Sequence, residues 1–201
     1  AVLAVDGAGA GNNGDSITMT LTPSETVGTP TCTFADAAGD ALANTVGYTT
    51  SGSTHIATVA VADDDADGAV TFSCTYSDTA GNAIASAITS ASSGSVTLDN
   101  THPSISSVTF ASGDYVNNAE DESAINLVIA TSGAENGETV TATLNAATYT
   151  CSVSSNTCTT SITSAGLKAL TDGTAYTFSV AVSDAAGNAA TADTSESFTY
   201  D

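Results

Sequence analysis

The sequence has almost no basic residues. Its 201 residues include 22 Asp and Glu but only one Lys or Arg, so the formal net charge is −21. Nucleic-acid binding depends on basic side chains that displace the counterions of the phosphate backbone, and this composition excludes it. Binding to an anionic membrane surface is excluded on the same ground. The same charge favours bound cations, because they would offset the repulsion within a compact chain.

Tryptophan and long apolar runs are also absent. There is no Trp, aromatic residues make up 5% of the chain, and no apolar run of 18 residues is found, so no membrane insertion is predicted. Charged residues amount to only 11%, which is not the composition of a disordered chain. We therefore expect a β-rich globular protein whose cores consist of Val, Ile, Leu, Phe and Tyr.

A catalytic constellation is missing as well. The only histidines are His55 and His102, and neither has the Ser or Cys and acidic partners that nucleophilic catalysis needs. No pair of carboxylates stands in a context typical of glycosidases. The sequence predicts no catalytic residues and no enzyme activity.

Alternating apolar and polar residues dominate what is present. The stretches 16–22, 55–61 and 69–76 alternate with period two, which predicts strands with one buried face. Turn sequences rich in Gly, Asn and Asp separate such stretches. One short segment, 164–170, has a helical pattern and predicts a single helical turn.

A polar turn occurs twice, as YSDTAGN at 76–82 and as VSDAAGN at 182–188. Each copy follows an alternating stretch and precedes a Ser/Thr/Ala-rich segment and a final strand. We expect Asp to cap the turn, and Gly and Asn to supply residues that tolerate positive φ. About seven short strands per half predict an all-β chain of two tandem immunoglobulin-like β-sandwich domains, 1–99 and 100–201.

The four cysteines are divided equally between the halves. Cys32 and Cys74 lie on two alternating stretches and could join neighbouring strands. If Ser154 and Ser155 form a two-residue turn, Cys151 and Cys158 face each other in a hairpin and form a cross-strand disulfide. A four-cysteine zinc site does not fit these spacings. Two disulfides predict an oxidising, extracellular location.

The second half also resembles a known family. The stretches 99–110, 115–122, 137–144, 170–174 and 182–188 are similar to the bacterial Ig-like repeats strung in tandem in very large surface adhesins of marine and biofilm-forming bacteria. The first half resembles a related repeat through 13–18, 23–25, 29–30 and 76–82. The resemblance implies a non-enzymatic extracellular protein, a cation-stiffened rod that contacts neighbouring repeats and the cell surface or biofilm matrix.

Two other functions remain open. The chain could be a self-assembling subunit of an extracellular filament or surface-layer lattice, in which the weak strand Ala1 to Val5 pairs with a neighbouring copy by strand exchange. It could also be a carbohydrate-binding accessory module, although the absence of Trp removes the usual stacking platform.

One acidic loop suggests a calcium site. Asp63, Asp65 and Asp67 stand at alternate positions before a Gly, a spacing that allows three carboxylates to turn onto one hard cation. The position of the final glutamate of an EF-hand loop is Cys74 and no helices flank the loop, so it is not an EF-hand. A solvated acidic turn without metal is the alternative.

The family resemblance implies a second calcium site. Such repeats, like cadherins, use calcium to stiffen the junction between tandem domains. The corresponding ligands would come from the hinge and from the acidic turns expected near it, namely Asp99, Asn100, Glu120, Asp121 and Asp184. A hinge with capping turns and no metal is the alternative.

Overall fold

The computed structural model describes residues 2–5 and 10–201, and nearly all of its regular structure is β-strand. The predicted all-β class is confirmed. The chain divides into two compact units, the first ending at Thr101 and the second beginning at His102. Ala1, the first residue of the predicted exchange strand, lies outside the described residues.

The described part of unit 1 contains eight strands. They are β1 Val2–Val5, β2 Ser16–Leu21, β3 Thr31–Ala35, β4 Gly47–Ser51, β5 Thr54–Ala60, β6 Gly68–Ala69, β7 Thr71–Thr75 and β8 Thr97–Leu98. One sheet has the order β1-β2-β5-β4, and the facing strands pair as β3 with β7 and β6 with β8. Only Val70 separates β6 from β7, and its N–H donates to Val96 O at 2.9 Å, so these two segments act as one strand between β3 and β8.

Alternation explains why these segments are strands. In β2 and β5 every second side chain is buried, and the buried set includes Ile17, Met19 and Val59, each at most 1% exposed. The intervening residues are mostly Thr and Ser, which suit a pleated outer face. Burial of each large aliphatic side chain contributes about 1.5–3 kcal/mol. The predicted exchange strand is part of this sheet, because Val2–Val5 pairs antiparallel with β2 of the same chain.

Unit 2 contains nine strands and one short helix. They are β9 Ser104–Phe110, β10 Tyr115–Val116, β11 Ile125–Ser132, β12 Thr139–Leu144, β13 Ala147–Ser152, β14 Thr157–Ile162, α1 Ser164–Lys168, β15 Thr174–Thr177, β16 Ser179–Ala181 and β17 Ser197–Tyr200. One sheet has the order β14-β11-β9. On the other side the orders are β10-β17-β15 and β13-β12-β16, and only Phe178 separates β15 from β16. The helical turn predicted at 164–170 is therefore observed as α1.

The two units have similar strand orders, but the strand after the third long strand, β4 in unit 1 and β13 in unit 2, joins a different sheet in each. In unit 1, β4 pairs with β5 and extends the sheet that holds β1 and β2. In unit 2 the corresponding strand, β13, pairs with β12 on the opposite sheet. Both arrangements occur in immunoglobulin-like β-sandwiches, which is the predicted fold class. The units are thus variants of one fold rather than identical copies.

Aromatic packing compensates for the missing tryptophan in unit 2. The rings of Phe110, Phe178 and Phe198 have centroid separations of 4.8–5.7 Å. Nearby, the Tyr176 hydroxyl accepts a hydrogen bond from Thr171 N at 2.8 Å. A tyrosine at the start of this strand that bonds back to the preceding corner is typical of immunoglobulin-like sandwiches.

Both predicted disulfides are present. Cys32 and Cys74 are direct partners in the β3–β7 pair, with a Cα–Cα distance of 4.1 Å. Cys151 and Cys158 are also bonded, with a Cα–Cα distance of 5.7 Å. The second bridge thus connects β13 to β14, which belong to different sheets.

The register predicted for the hairpin around the second disulfide is wrong. Ser155 and Asn156 form the turn, with φ of 53° and 63°, and a single antiparallel β-bridge pairs Ser154 with Thr157. Beyond that bridge the two segments separate, because Val153 N donates to Glu138 O at 2.8 Å. The disulfide therefore joins the two layers of the sandwich instead of two neighbours in one sheet.

Candidate functional site

The acidic residues are confined to the loops. Every Asp and Glu within residues 2–5 and 10–201 lies outside the strands. The sheet faces are therefore uncharged and carry mainly Thr, Ser, Ala and Val. The negative charge is concentrated where strands end, and any cation site must be built from those loops.

The acidic loop 63–67 does not form a cage of three carboxylates. Asp65 is 5% exposed and its two oxygens accept hydrogen bonds from Ala43 N at 3.0 Å and Ala62 N at 2.8 Å. Asp67 accepts hydrogen bonds from Asn100 N and from the Thr101 hydroxyl, both at 2.5 Å. Asp63 is exposed on the loop surface. Two of the three predicted ligands, Asp65 and Asp67, therefore accept hydrogen bonds from other parts of unit 1.

Asn100 connects this loop to the end of unit 1. Its side-chain NH₂ donates to Ala62 O at 3.0 Å and to Asp65 O at 2.8 Å, while its Oδ1 is buried without a hydrogen-bond partner. Asp99 Oδ1 accepts from Thr101 N at 3.1 Å. The structure therefore brings together Asp65, Asp67, Asp99 and Asn100, and their polar atoms largely satisfy backbone groups.

The repeated polar turn is closed by its aspartate. Asp184 is 4% exposed, and its carboxylate accepts from Asn188 N at 2.8 Å and from the Asn188 side chain at 3.0 Å. Asp78 accepts from Asn82 N at 2.8 Å and from the Asn82 side chain at 2.7 Å. Hydrogen bonds from Asn82, first from its side chain and then from its N–H, lower the pKa of Asp78. The predicted cap is observed in both copies.

The role expected for asparagine in this turn is wrong. Positive φ occurs at Gly81 and Gly187, with values of 94° and 98°, but at neither asparagine. Asparagine instead donates its side-chain amide to the aspartate. A third turn, at 36–40, uses the same backbone closure, and a hydrogen bond from Ala66 N is the main reason that the pKa of Asp36 is lowered.

Glu120 and Asp121 lie at the far end of unit 2. Glu120 Oε2 accepts from Asn117 N at 3.0 Å, and so caps its own turn. Asp121 is 2% exposed, and its Oδ2 accepts from the Tyr200 hydroxyl at 2.5 Å. This hydrogen bond is the largest cause that raises the pKa of Tyr200.

Lys168, the chain's one basic residue, stands beside the same carboxylate. Its Nζ is 2.9 Å from Glu122 Oε1 and 3.9 Å from Asp121 Oδ1. The hydrogen bond to Glu122 is the largest cause that raises the pKa of Lys168. The ammonium group is thus held in its charged form next to a buried carboxylate.

The residues predicted for the hinge site are not gathered within unit 2. The turn of Asp184 lies near the start of the unit, where His102 Nδ1 is 2.9 Å from Ala189 O. Glu120 and Asp121 follow β9, whose seven residues span roughly 20 Å. Among the residues that the structure describes, no group of three or more His, Cys, Asp and Glu is placed to hold a metal ion.

Three tyrosine hydroxyls make hydrogen bonds that were not predicted from the sequence. The Tyr48 hydroxyl bonds both backbone groups of Cys32, accepting from its N–H at 2.8 Å and donating to its C=O at 3.2 Å. Tyr200 and Tyr176 are the others. For Tyr176 a local signal exists, since it lies five residues after its partner. For Tyr48 and Tyr200 the partners are 16 and 79 residues away, and no local pattern indicates them.

Comparisons with solved structures show that this chain is similar to segments of bacterial adhesins. No family model and no curated protein matches the chain. A Ca²⁺-stabilized adhesin that helps an Antarctic bacterium reach out and bind ice is 25% identical, with a TM-score of 0.50, over 100% of this chain and 49% of that one. A 1.5-MDa bacterial ice-binding adhesin is 21% identical, with a TM-score of 0.51, over 100% of this chain and 64% of that one.

The similarity extends along the whole of this chain, which spans about half to two-thirds the length of the adhesin structures. The predicted resemblance to Ig-like repeats of bacterial surface adhesins is confirmed. Within the described part of the chain no helix is long and apolar enough to cross a bilayer.

Proposed function

We propose that this chain is a non-enzymatic, extracellular spacer segment of an adhesin, built from two immunoglobulin-like sandwiches. The observation that carries the proposal is the likeness to a Ca²⁺-stabilized adhesin along the full length of the chain. Tandem sandwiches of this kind act by reach and display. Their partners are neighbouring repeats of the same protein and the cell surface or biofilm matrix.

The disulfides support the extracellular location. Cys32–Cys74 and Cys151–Cys158 each lie within one unit, and no free cysteine is found among the described residues. Structural disulfides persist in oxidising environments and are rare in the cytosol. We propose further that the predicted domains 1–99 and 100–201 fold independently, since each unit has its own hydrophobic core and its own disulfide.

Calcium is proposed to stiffen the end of unit 1. Asp65, Asp67, Asp99 and Asn100 come together there, Asp63 stands on the same loop, and Asp15 and Asp36 lie on neighbouring loops, since Val61 N donates to Asp15 O and Ala66 N donates to Asp36 Oδ2. A bound divalent ion offsets the mutual repulsion of such carboxylates. Glu120, Asp121 and Asp184, the remaining predicted ligands, lie on loops of unit 2.

Thermal unfolding tests the calcium proposal. Calcium at about one hundred times its dissociation constant stabilises a one-site protein by about 2.7 kcal/mol, which raises Tm by roughly 10–20 °C for a unit of this size. Magnesium and sodium at matched ionic strength serve as controls. Replacing Asp63 and Asp99 with Asn should remove the calcium effect, whereas Glu25→Gln, beyond the other end of β2, should preserve it. An equal rise with sodium would show screening alone.

Electron microscopy separates the spacer from the filament or lattice alternative. A spacer segment remains dispersed at all concentrations. A strand-exchange subunit forms polymers, and deletion of Val2–Val5 would dissolve them. Polymers that persist in the purified protein would overturn the spacer proposal. Glycan-array binding would instead support a carbohydrate-binding module.

A further inference from the structure

The last strand of unit 2 pairs in parallel with a segment near the start of the unit. Tyr115 lies opposite Thr199, and Val116 opposite Tyr200. Backbone hydrogen bonds flank the pair, from Thr199 N to Asp114 O at 2.8 Å and from Asp201 N to Val116 O at 2.9 Å. The segment β10 follows β9, which begins two residues after His102. The parallel pair therefore connects the two ends of the unit.

A parallel strand pair that joins the two ends of a unit is loaded in shear when the chain is stretched. Tension on the amino-terminal side pulls β10 through β9 in one direction. Tension on the carboxyl-terminal side pulls β17 in the opposite direction, because the two strands run the same way. The hydrogen bonds between them must then break together rather than one after another.

A side-chain bond reinforces this pair. The Tyr200 hydroxyl, on the last residue of β17, donates to Asp121 Oδ2 at 2.5 Å. Asp121 lies five residues after β10, and Asp121 and Tyr200 are only 2% and 7% exposed. Asp121 N also donates to Asn117 O at 3.1 Å, so the carboxylate is fixed to the segment directly after β10. Hydrogen bonds to ionised groups are stronger than those between neutral groups.

We propose that the Tyr200–Asp121 bond is a lock that keeps β17 from sliding past β10 when the protein is under tension. The proposal rests on the spacer function above, since a spacer is stretched in use. Lys168 supports the lock from α1, where its Nζ lies 3.9 Å from Asp121 Oδ1. Tyr200 has a mechanical role, because its hydroxyl fixes the end of β17 to the segment that follows β10.

Single-molecule stretching of the full chain at constant force tests the lock. The disulfides give the two units different increases in length on unfolding, because residues inside a disulfide-closed loop do not extend. The bridge of unit 1 spans 42 positions and that of unit 2 spans 7. At about 3.5 Å per residue, unit 2 lengthens by roughly 300 Å and unit 1 by roughly 180 Å. The two unfolding events are therefore distinguishable in every trace.

Tyr200→Phe removes the hydroxyl and keeps the ring. Unit 2 of this variant is expected to unfold roughly tenfold faster at a given force, while unit 1 is unchanged. Tyr176→Phe is the matched control, since it removes a hydroxyl hydrogen bond, to Thr171 N, that lies outside the parallel pair. Under tension its unfolding rate should stay within about threefold of the wild type, even where its equilibrium stability falls equally.

The outcomes separate the lock from a general stabilising role. Equal acceleration in Tyr200→Phe and Tyr176→Phe, or none in Tyr200→Phe, would overturn the lock and leave the spacer function standing. If Tyr200→Phe fails to fold, Asp121→Asn supplies the test, because an amide oxygen still accepts from the hydroxyl without its charge. Unit 2 should then unfold faster than the wild type under tension, and an unchanged rate would also overturn the lock.

Discussion

Replacing Cys32 and Cys74 with Ala together is expected to destabilise unit 1 more than the same change at Cys151 and Cys158 destabilises unit 2. The first bridge closes a loop of 42 positions and the second a loop of 7. In the chain-entropy description, cross-links of these lengths stabilise by about 4 and about 2.5 kcal/mol, because the longer loop removes more freedom from the unfolded chain. The expected difference is therefore about 1.5 kcal/mol.

Urea unfolding measures this difference. With a slope of about 1–3 kcal/mol per molar urea, the midpoint for unit 1 should fall by roughly 2 M and that for unit 2 by roughly 1 M. Circular dichroism reports both units, and each can also be followed as a separate fragment, 1–101 or 102–201. Chemically reduced wild-type protein is the control, since it loses the cross-links without any change in side-chain volume.

One result would refute the reasoning. The bridge of Cys151 and Cys158 joins β13 to β14 across the two sheets, whereas Cys32 and Cys74 lie on strands that already pair. If unit 2 lost more stability than unit 1, the position of the bridge between layers would outweigh loop length. An entropic account of these disulfides would then be wrong.

Three further predictions concern side chains that close turns and edges. Asp184→Ala should cost about 2 kcal/mol in chemical unfolding, because a buried charge-assisted bond to Asn188 is lost, and Asp78→Ala in the more exposed copy should cost less. Tyr48→Phe should speed hydrogen exchange at the Cys32 amide in NMR, and an unchanged exchange rate would contradict the contact. The lowered pKa of Asp78 contributes stability that is present above its ordinary value of 3.8 and lost as pH falls below it, so acid unfolding should be shallower in Asp78→Asn.

The strands and turns were predictable because their causes are local. Period-two alternation in stretches such as 16–22 requires one buried face, and β2 has that burial pattern. The polar turn at 182–188 contains its own cap, since Asp184 and Asn188 are four residues apart. The pairing of cysteines within each half also followed from the sequence.

The candidate calcium ligands were harder to place because their partners are distant. The spacing of Asp63, Asp65 and Asp67 suggested one cation, but Asp65 bonds the amide of Ala43, 22 residues earlier. A carboxylate that satisfies buried backbone groups is held by them, and its direction cannot be read from its neighbours in sequence.

The sequence by itself determined the fold class, the uncharged faces, the acidic loops and the repeated turn, since each depends on side chains within a few residues of one another. Only the tertiary structure decided which sheet receives β4 in unit 1 and its counterpart β13 in unit 2. It alone also placed the Tyr200 hydroxyl on Asp121, 79 residues away. Both depend on how the two layers meet, because a free strand edge or a buried oxygen takes whichever partner the packed sandwich brings within reach.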